Sequence, residues 1–294
     1  MTILLAGATG ALGGRIAREL RLRHADVKAI VRHGTTPDKV ARLEALGVTV
    51  VELDPDDLSQ VTEACRGASC LVSALNGLRP VIIDTQGVLL RAAVAAGVPR
   101  FIPSDFSLDF TKTQPGANRN LDLRRDFHKL LDAAPIKGTS ILNGGFMELL
   151  AGQAPFLLFK PKRVLFFGDV DQRLDFTTMD DVAAFTAEAA LDPTTPRVLR
   201  IAGDQVSARD LAAIAGKVTG TPFKTLRAGS LGALATVIRL LRAVAPGRRS
   251  VFPPWQGMQY MHNMFTGEGK LAPLDNGRYP GLRWTSVAEV LATR

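Results

Sequence analysis

Only two tyrosines, two tryptophans, two cysteines and four histidines occur among the 294 residues. Cys65 and Cys70 are too few for the disulfide framework of a small secreted domain, and no histidine or carboxylate is spaced with them as a metal ligand would be. They are expected to be reduced, inert thiols, and no metal is expected. A Gly-x-Ser-x-Gly elbow is missing, which argues against hydrolase chemistry. So is any apolar run of about 18 residues. The strongest candidate, 231–245, carries Arg239 and Arg242, and no membrane span is expected. The first residues lack the basic segment of a secretory signal, which points to the cytoplasm. Between 211 and 267 there is no acidic residue while seven Lys or Arg remain, in a chain of net charge +8. Without interleaved aromatics or a DNA-binding motif, this stretch reads as a solvated basic face or the rim of an anionic-ligand site. Nucleic acid is not an expected partner.

What is present is ample core material. Hydrophobic residues make up 46% and charged residues 22%, which rules out disordered and low-complexity readings. Strand-like runs at 3–6, 27–31, 48–53, 70–74, 100–103 and 139–142 alternate with helical spacing at 12–23, 37–46, 57–64, 80–96 and 121–133. That rhythm predicts an α/β fold built on a doubly wound parallel sheet of the Rossmann type. After Asn143 prolines become frequent and the rhythm loosens. The expected organisation is a nucleotide-binding domain over 1–150 and a smaller C-terminal substrate-binding part over 151–294. Segments near 163–205 are expected to return to the first sheet.

Gly7-Ala8-Thr9-Gly10-Ala11-Leu12-Gly13 follows the first strand and opens the first helix. Gly7 suits a tight turn, Gly10 lets backbone N–H groups approach a pyrophosphate, and Gly13 permits close packing of helix on strand; Thr9 and Leu12 belong to the same binding loop. The helix N-terminus adds favourable electrostatics. At the end of the second strand, where an NAD site places an acidic residue, stands Arg32, with Lys39 nearby. This cationic pair suits a 2′-phosphate, so the expected cofactor is NADP.

With the glycine loop, Val31-Arg32, Gly97-Val98-Pro99-Arg100-Phe101-Ile102-Pro103-Ser104-Asp105-Phe106 and Asn143-Gly144-Gly145-Phe146, the chain resembles the atypical short-chain dehydrogenases. More closely, it is similar to their NmrA-like and isoflavone-reductase-like branch. The resemblance implies NADP(H) in an extended groove, Ser104 and Phe106 close to the nicotinamide, Asn76 bordering the central ribose or phosphates, and Asn143 among the cofactor-binding residues. Short-chain dehydrogenases commonly use a Tyr-x-x-x-Lys pair, yet neither Tyr260 nor Tyr279 is followed by lysine at the fourth position. In the isoflavone-reductase-like branch a helix lysine relays the proton instead, and the alignment puts Arg124 in its place. Arginine does not release a proton near neutrality, but it can polarise a carbonyl. His128, one turn on, is the candidate titrating group, its alternative being a surface helix histidine.

Phe146, Met147, Trp255, Met258, Tyr260 and Met261 are the candidate walls for a flat aromatic substrate, with core packing as the alternative. Asp180 and Asp181 read as a helix cap. Two functions remain open: an NADPH-dependent reductase of an aromatic or planar apolar small molecule, or a non-catalytic NADP(H)-sensing regulator acting through a protein partner. A monomer or homodimer is expected.

Overall fold

Aliphatic side chains buried on both faces place a parallel sheet at the centre of the molecule. The computed structural model describes residues 1–152, 154 and 156–293. Strands β1 (Thr2–Ala6), β2 (Asp26–Val31), β3 (Thr49–Glu52), β4 (Cys70–Ser73), β5 (Arg100–Ile102) and β6 (Lys137–Gly138) run in the order β3-β2-β1-β4-β5-β6, each neighbouring pair parallel. Helices α1 (Ala11–Leu22), α2 (Pro37–Ala45), α3 (Leu58–Cys65), α4 (Gln86–Ala95) and α5 (Arg119–Ala133) connect them. This is the doubly wound α/β sheet expected from the alternation. Winding reverses between β1 and β4, so the carboxyl ends of those strands open the crevice in which such sheets hold ligands.

Alternation along β1 sends its side chains to two cores. Ile3 and Leu5 pack with Ile16 and Leu20 of α1, whereas Leu4 packs with Val61 of α3, Leu89 of α4 and Phe127 of α5. The helix expected over 80–96 comes in two parts, a π-helical turn Pro80–Thr85 and then α4. At the junction the Gln86 carboxamide donates to Ile82 O at 3.1 Å, a side chain inserted into the backbone ladder.

Beyond β6 the strand continues as β7 (Ser140–Leu142) and is followed by β8 (Gly145–Phe146), β9 (Leu157–Leu158), β10 (Arg163–Phe167), β11 (Leu174–Thr177) and α6 (Met179–Leu191). Next come β12 (Val198–Arg200), β13 (Asp204–Val206), α7 (Ala208–Thr219), β14 (Lys224–Gly229), α8 (Leu231–Val244), α9 (Pro254–Thr266) and α10 (Val287–Ala292). β12 pairs in parallel with β7, and α6 lies along α1, adding Val182, Ala183 and Phe185 to the core that holds Ile3 and Leu5. Fully enclosed in this junction, Arg100 donates to the carbonyls of Ala189 and Ala190 at 2.6 and 2.8 Å, satisfying the open end of α6.

The cap of α6 is Thr178, whose hydroxyl accepts Asp181 N at 3.0 Å. Asp180 and Asp181, read from the sequence as the cap, lie inside the first turn and tie separate segments together. Asp180 pairs with Arg15 and Arg18 of α1, and Asp181 accepts the N–H and hydroxyl of Thr285. Among the described residues no helix is long and apolar enough to cross a membrane, and no group of His, Cys, Asp and Glu could hold a metal.

Candidate active site

The loop after β1 admits no side chain at two positions. Gly7 has φ +86°, and a Cβ there would sit 2.6 Å from Ala74 O; a Cβ on Gly13 would sit 2.1 Å from Gly7 O. Close backbone approach thus fixes the loop against β4 and the start of α1. Gly10 is the cap residue of α1, no side chain accepts the first N–H groups, and the first turn has no acidic residue. The first N–H groups of a helix have no partner within it, and here no side chain takes them, as an anion site requires. Thr9 and Gly10 are exposed there, and Leu12 packs on the core behind them.

Beside the ends of β2 and β3 is a cavity of about 450 Å³ lined by Arg32, His33, Leu53, Asp54, Asp56 and Thr85, among others. Arg32 and Lys39 are both exposed, but Lys39 is not part of this lining. Glu52, which sequence reasoning passed over, shapes the loop: its carboxylate accepts Gly34 N at 3.1 Å and stands 3.4 Å from His33 Nδ1.

At the other end of the crevice, Ser104 bridges two strand ends. Its hydroxyl donates to Leu75 O and its N–H to Gln86 Oε1 at 2.9 Å. Asn76 beside it is exposed, and Phe106 is buried in the core under β1. The Asn143 side chain is fully buried, and neither its Nδ2 nor its Oδ1 has a partner. Asp105, also fully buried, holds His128: Oδ2 lies 2.6 Å from Nε2 and accepts Ser140 Oγ at 2.6 Å. Ser140 Oγ is in turn 2.9 Å from the same Nε2 and accepts Arg197 Nη1 at 2.7 Å. Serine, histidine and aspartate meet, yet both contacts use one ring nitrogen, so the proton relay of a hydrolase triad cannot run through the ring. His128 is engaged at Nε2 within the fold, its ring edge-on to Phe110 at 4.7 Å.

Arg124 lies on the buried face of α5 with Asn120, Leu121 and Phe127, and is only 8% exposed. One Nη donates to Asn120 O at 2.9 Å, Nε has no partner, and no carboxylate pairs with it among the described residues. Its neighbour Arg125, by contrast, pairs with Asp122 at 2.5 Å and donates to Phe110 O and Thr113 O. A guanidinium taken from water without a counter-charge is costly unless an anion or polarised oxygen meets it.

The six candidate substrate residues do not meet in one wall. Met147, Met258 and Met261 belong to the core of the second half, and Phe146 packs against the core under β1. Half-buried Tyr260 rests on the cluster of Leu108, Phe110 and Leu121. Trp255 is buried, donates to Ala245 O at 3.1 Å, and has the guanidinium carbons of Arg119 and Arg242 at 4.8 and 5.4 Å from its ring centroid. Tyr279 donates to Asp192 Oδ2 at 2.9 Å, and burial pushes its hydroxyl up to about 12, so it stays protonated and tied to that carboxylate near neutrality.

Cys65 and Cys70 are free and buried, and burial raises both thiols to about 12. An aromatic disulfide reagent near pH 8 should therefore leave the folded protein unlabelled and react with both thiols only after denaturation. Rapid labelling of the native protein would contradict this.

Residues 1–236 match the NmrA-like family. The probable pinoresinol-lariciresinol reductase 3 of Arabidopsis thaliana is 28% identical over 99% of this chain and 96% of that protein. The isoflavone reductase homolog IRL of Zea mays is 32% identical over 76% and 75%. Among solved structures, AtPrR2 with NADP+ and (+)pinoresinol superposes with a TM-score of 0.83 at 21% identity, covering 99% of this chain and 98% of that one. The leucoanthocyanidin reductase–NADPH binary complex from Vitis vinifera gives 0.82 at 19%, covering 100% and 99%.

Proposed function

The chain belongs to the NmrA-like family, and from that membership together with the site we infer that it is an NADP-dependent reductase of the isoflavone-reductase-like type. The cofactor fits what the residues offer. The uncapped start of α1 and the Gly7–Gly13 loop would hold the pyrophosphate, Arg32 assisted by Lys39 the 2′-phosphate, and Ser104, Phe106 and the unpartnered Asn143 carboxamide would border the nicotinamide. When bound, NADPH supplies a hydride.

The observation that carries the catalytic reading is Arg124, a buried guanidinium with no counter-charge. It holds the substrate oxygen on which negative charge develops and stabilises that charge, its donors already oriented by α5. Arginine keeps its proton, so the substrate takes its proton from solvent. Asp105 and His128 act one step back: they tie α5, which carries Arg124, to the 103–106 segment, which carries Ser104. The substrate is an aromatic small molecule bearing a reducible oxygen function. The half-buried rings of Phe146 and Tyr260 offer it contact, while Met147, Trp255, Met258 and Met261 are committed to packing elsewhere. Relatives named for pinoresinol and isoflavone reduction support this class, and no relative cited above is named as a regulator. The test is NADPH oxidation against benzylic ethers, aromatic ketones, aldehydes and quinones. Tight NADPH binding without turnover on any of them would favour the non-catalytic reading instead.

Cofactor preference provides a separate check. NADPH should bind at least roughly tenfold more tightly than NADH, and Arg32→Ala should remove most of that difference by weakening NADPH alone. Fluorescence titration measures both, and equal affinities in the unmodified protein would refute the assignment of Arg32.

A further inference from the structure

Helix α8 is apolar on two faces. Leu234 and Ile238 are buried as the helix packs on α9, which accounts for one face. The other faces water: Val237, Leu240 and Val244 are 42, 62 and 77% exposed. Their spacing of three and four residues aligns them in one stripe. A helix that merely covers a core presents a polar outer face, so core packing among the described residues does not account for this stripe. Basic residues surround it in the chain. Arg239 lies on the helix, and Arg248 and Arg249 follow it in an exposed loop that ends at Phe252, 59% exposed. The strand leading into α8 is β14, at the edge of its sheet, with Lys224, Leu226 and Arg227 all exposed. No acidic residue occurs anywhere from 211 to 267.

We propose that α8 and the loop after it dock the protein peripherally on an anionic lipid surface, the helix lying in the plane of the interface. Exposed aliphatic side chains on a short helix, accompanied by arginines and by no carboxylate, match the two parts of such a surface: acyl chains below and acidic headgroups above. A second copy of this chain is a poorer occupant, because it would bring the same acid-free basic segments together. Nucleic acid would match the charge but gain nothing from Val237, Leu240 and Val244.

The test is sedimentation of the full-length protein with vesicles of phosphatidylcholine alone and of phosphatidylcholine containing about one third phosphatidylserine. Binding to the anionic vesicles should exceed binding to the neutral ones by at least about tenfold and fall steeply by roughly 0.5 M salt. Leu240→Glu should lower it about tenfold, as should Arg248→Glu combined with Arg249→Glu; all three positions are exposed, and NADPH affinity reports that the fold is intact. The proposal is overturned if anionic vesicles leave the protein in the supernatant, or if Leu240→Glu binds as the unmodified protein does. A dimer in gel filtration that Leu240→Glu dissociates would assign the stripe to a second copy instead.

Discussion

Replacing Arg124 by alanine should lower kcat by roughly 10²- to 10³-fold on any substrate the protein reduces, with NADPH affinity unchanged. The expectation rests on the charge balance around the side chain. It is 8% exposed, keeps one bond to a backbone carbonyl, and leaves Nε unpartnered. A structural arginine in such a place is tied down by more bonds, as Arg100 is by three through its Nη groups although its Nε is likewise unpartnered, and its loss would lower the melting temperature. Removing Arg124 discards a buried charge the fold does not neutralise, so the melting temperature should hold or rise while turnover falls. That opposite movement separates a catalytic from a structural role. Arg124→Lys is the second variant. It restores a cation whose pKa can fall on desolvation, and should recover part of the lost activity with a new dependence on pH. Undiminished turnover in Arg124→Ala would remove this residue from the mechanism.

Gly13→Ala should abolish measurable NADPH binding, a loss of at least about 100-fold. The added methyl would lie 2.1 Å from Gly7 O, and neither a Cβ fixed by its own backbone nor a backbone carbonyl can yield by a rotamer change. The loop must move off α1, and the N–H groups proposed to meet the pyrophosphate move with it. A ligand at 100 times its dissociation constant stabilises the state it binds by about 2.7 kcal/mol. NADPH should therefore raise the melting temperature of the unmodified protein and leave that of the variant where it is. A normal NADPH-induced rise in Gly13→Ala would show that the glycine loop is not the binding element.

Local features were the legible ones. The glycine loop and Arg32 announce themselves by position relative to a strand and a helix, and the parallel sheet by the period of its aliphatic runs. Thr178 as the cap of α6 was equally readable, since Thr178 followed three residues later by Asp181 has the form of a capping box, but the adjacent aspartates drew the assignment instead. The long-range contacts left no such mark. Asp105, His128 and Ser140 meet only because β5, α5 and β7 are neighbours, and nothing in the spacing says that one histidine nitrogen serves both partners. The sulfur and ring side chains from 255 to 261 have the composition of a binding wall. Helical geometry nevertheless sends Met258 and Met261 to one cluster and Tyr260 to another.

The seating of α6 over the first sheet governs the order in which the protein can assemble during synthesis. When the ribosome has released the first 150 residues, all six strands of the central sheet are available, but Val182, Ala183 and Phe185 have yet to cover the side of β1 that carries Ile3 and Leu5. Arg100 waits as well, since the carbonyls of Ala189 and Ala190 that neutralise its donors are still inside the ribosome. A nascent chain at this length holds an open apolar face beside an unsatisfied cation, the kind of intermediate that chaperones shield. Folding of the first 150 residues is thereby postponed until the segment through Leu191 has emerged, so a gene fragment ending at residue 150 should yield aggregate rather than a small NADPH-binding protein.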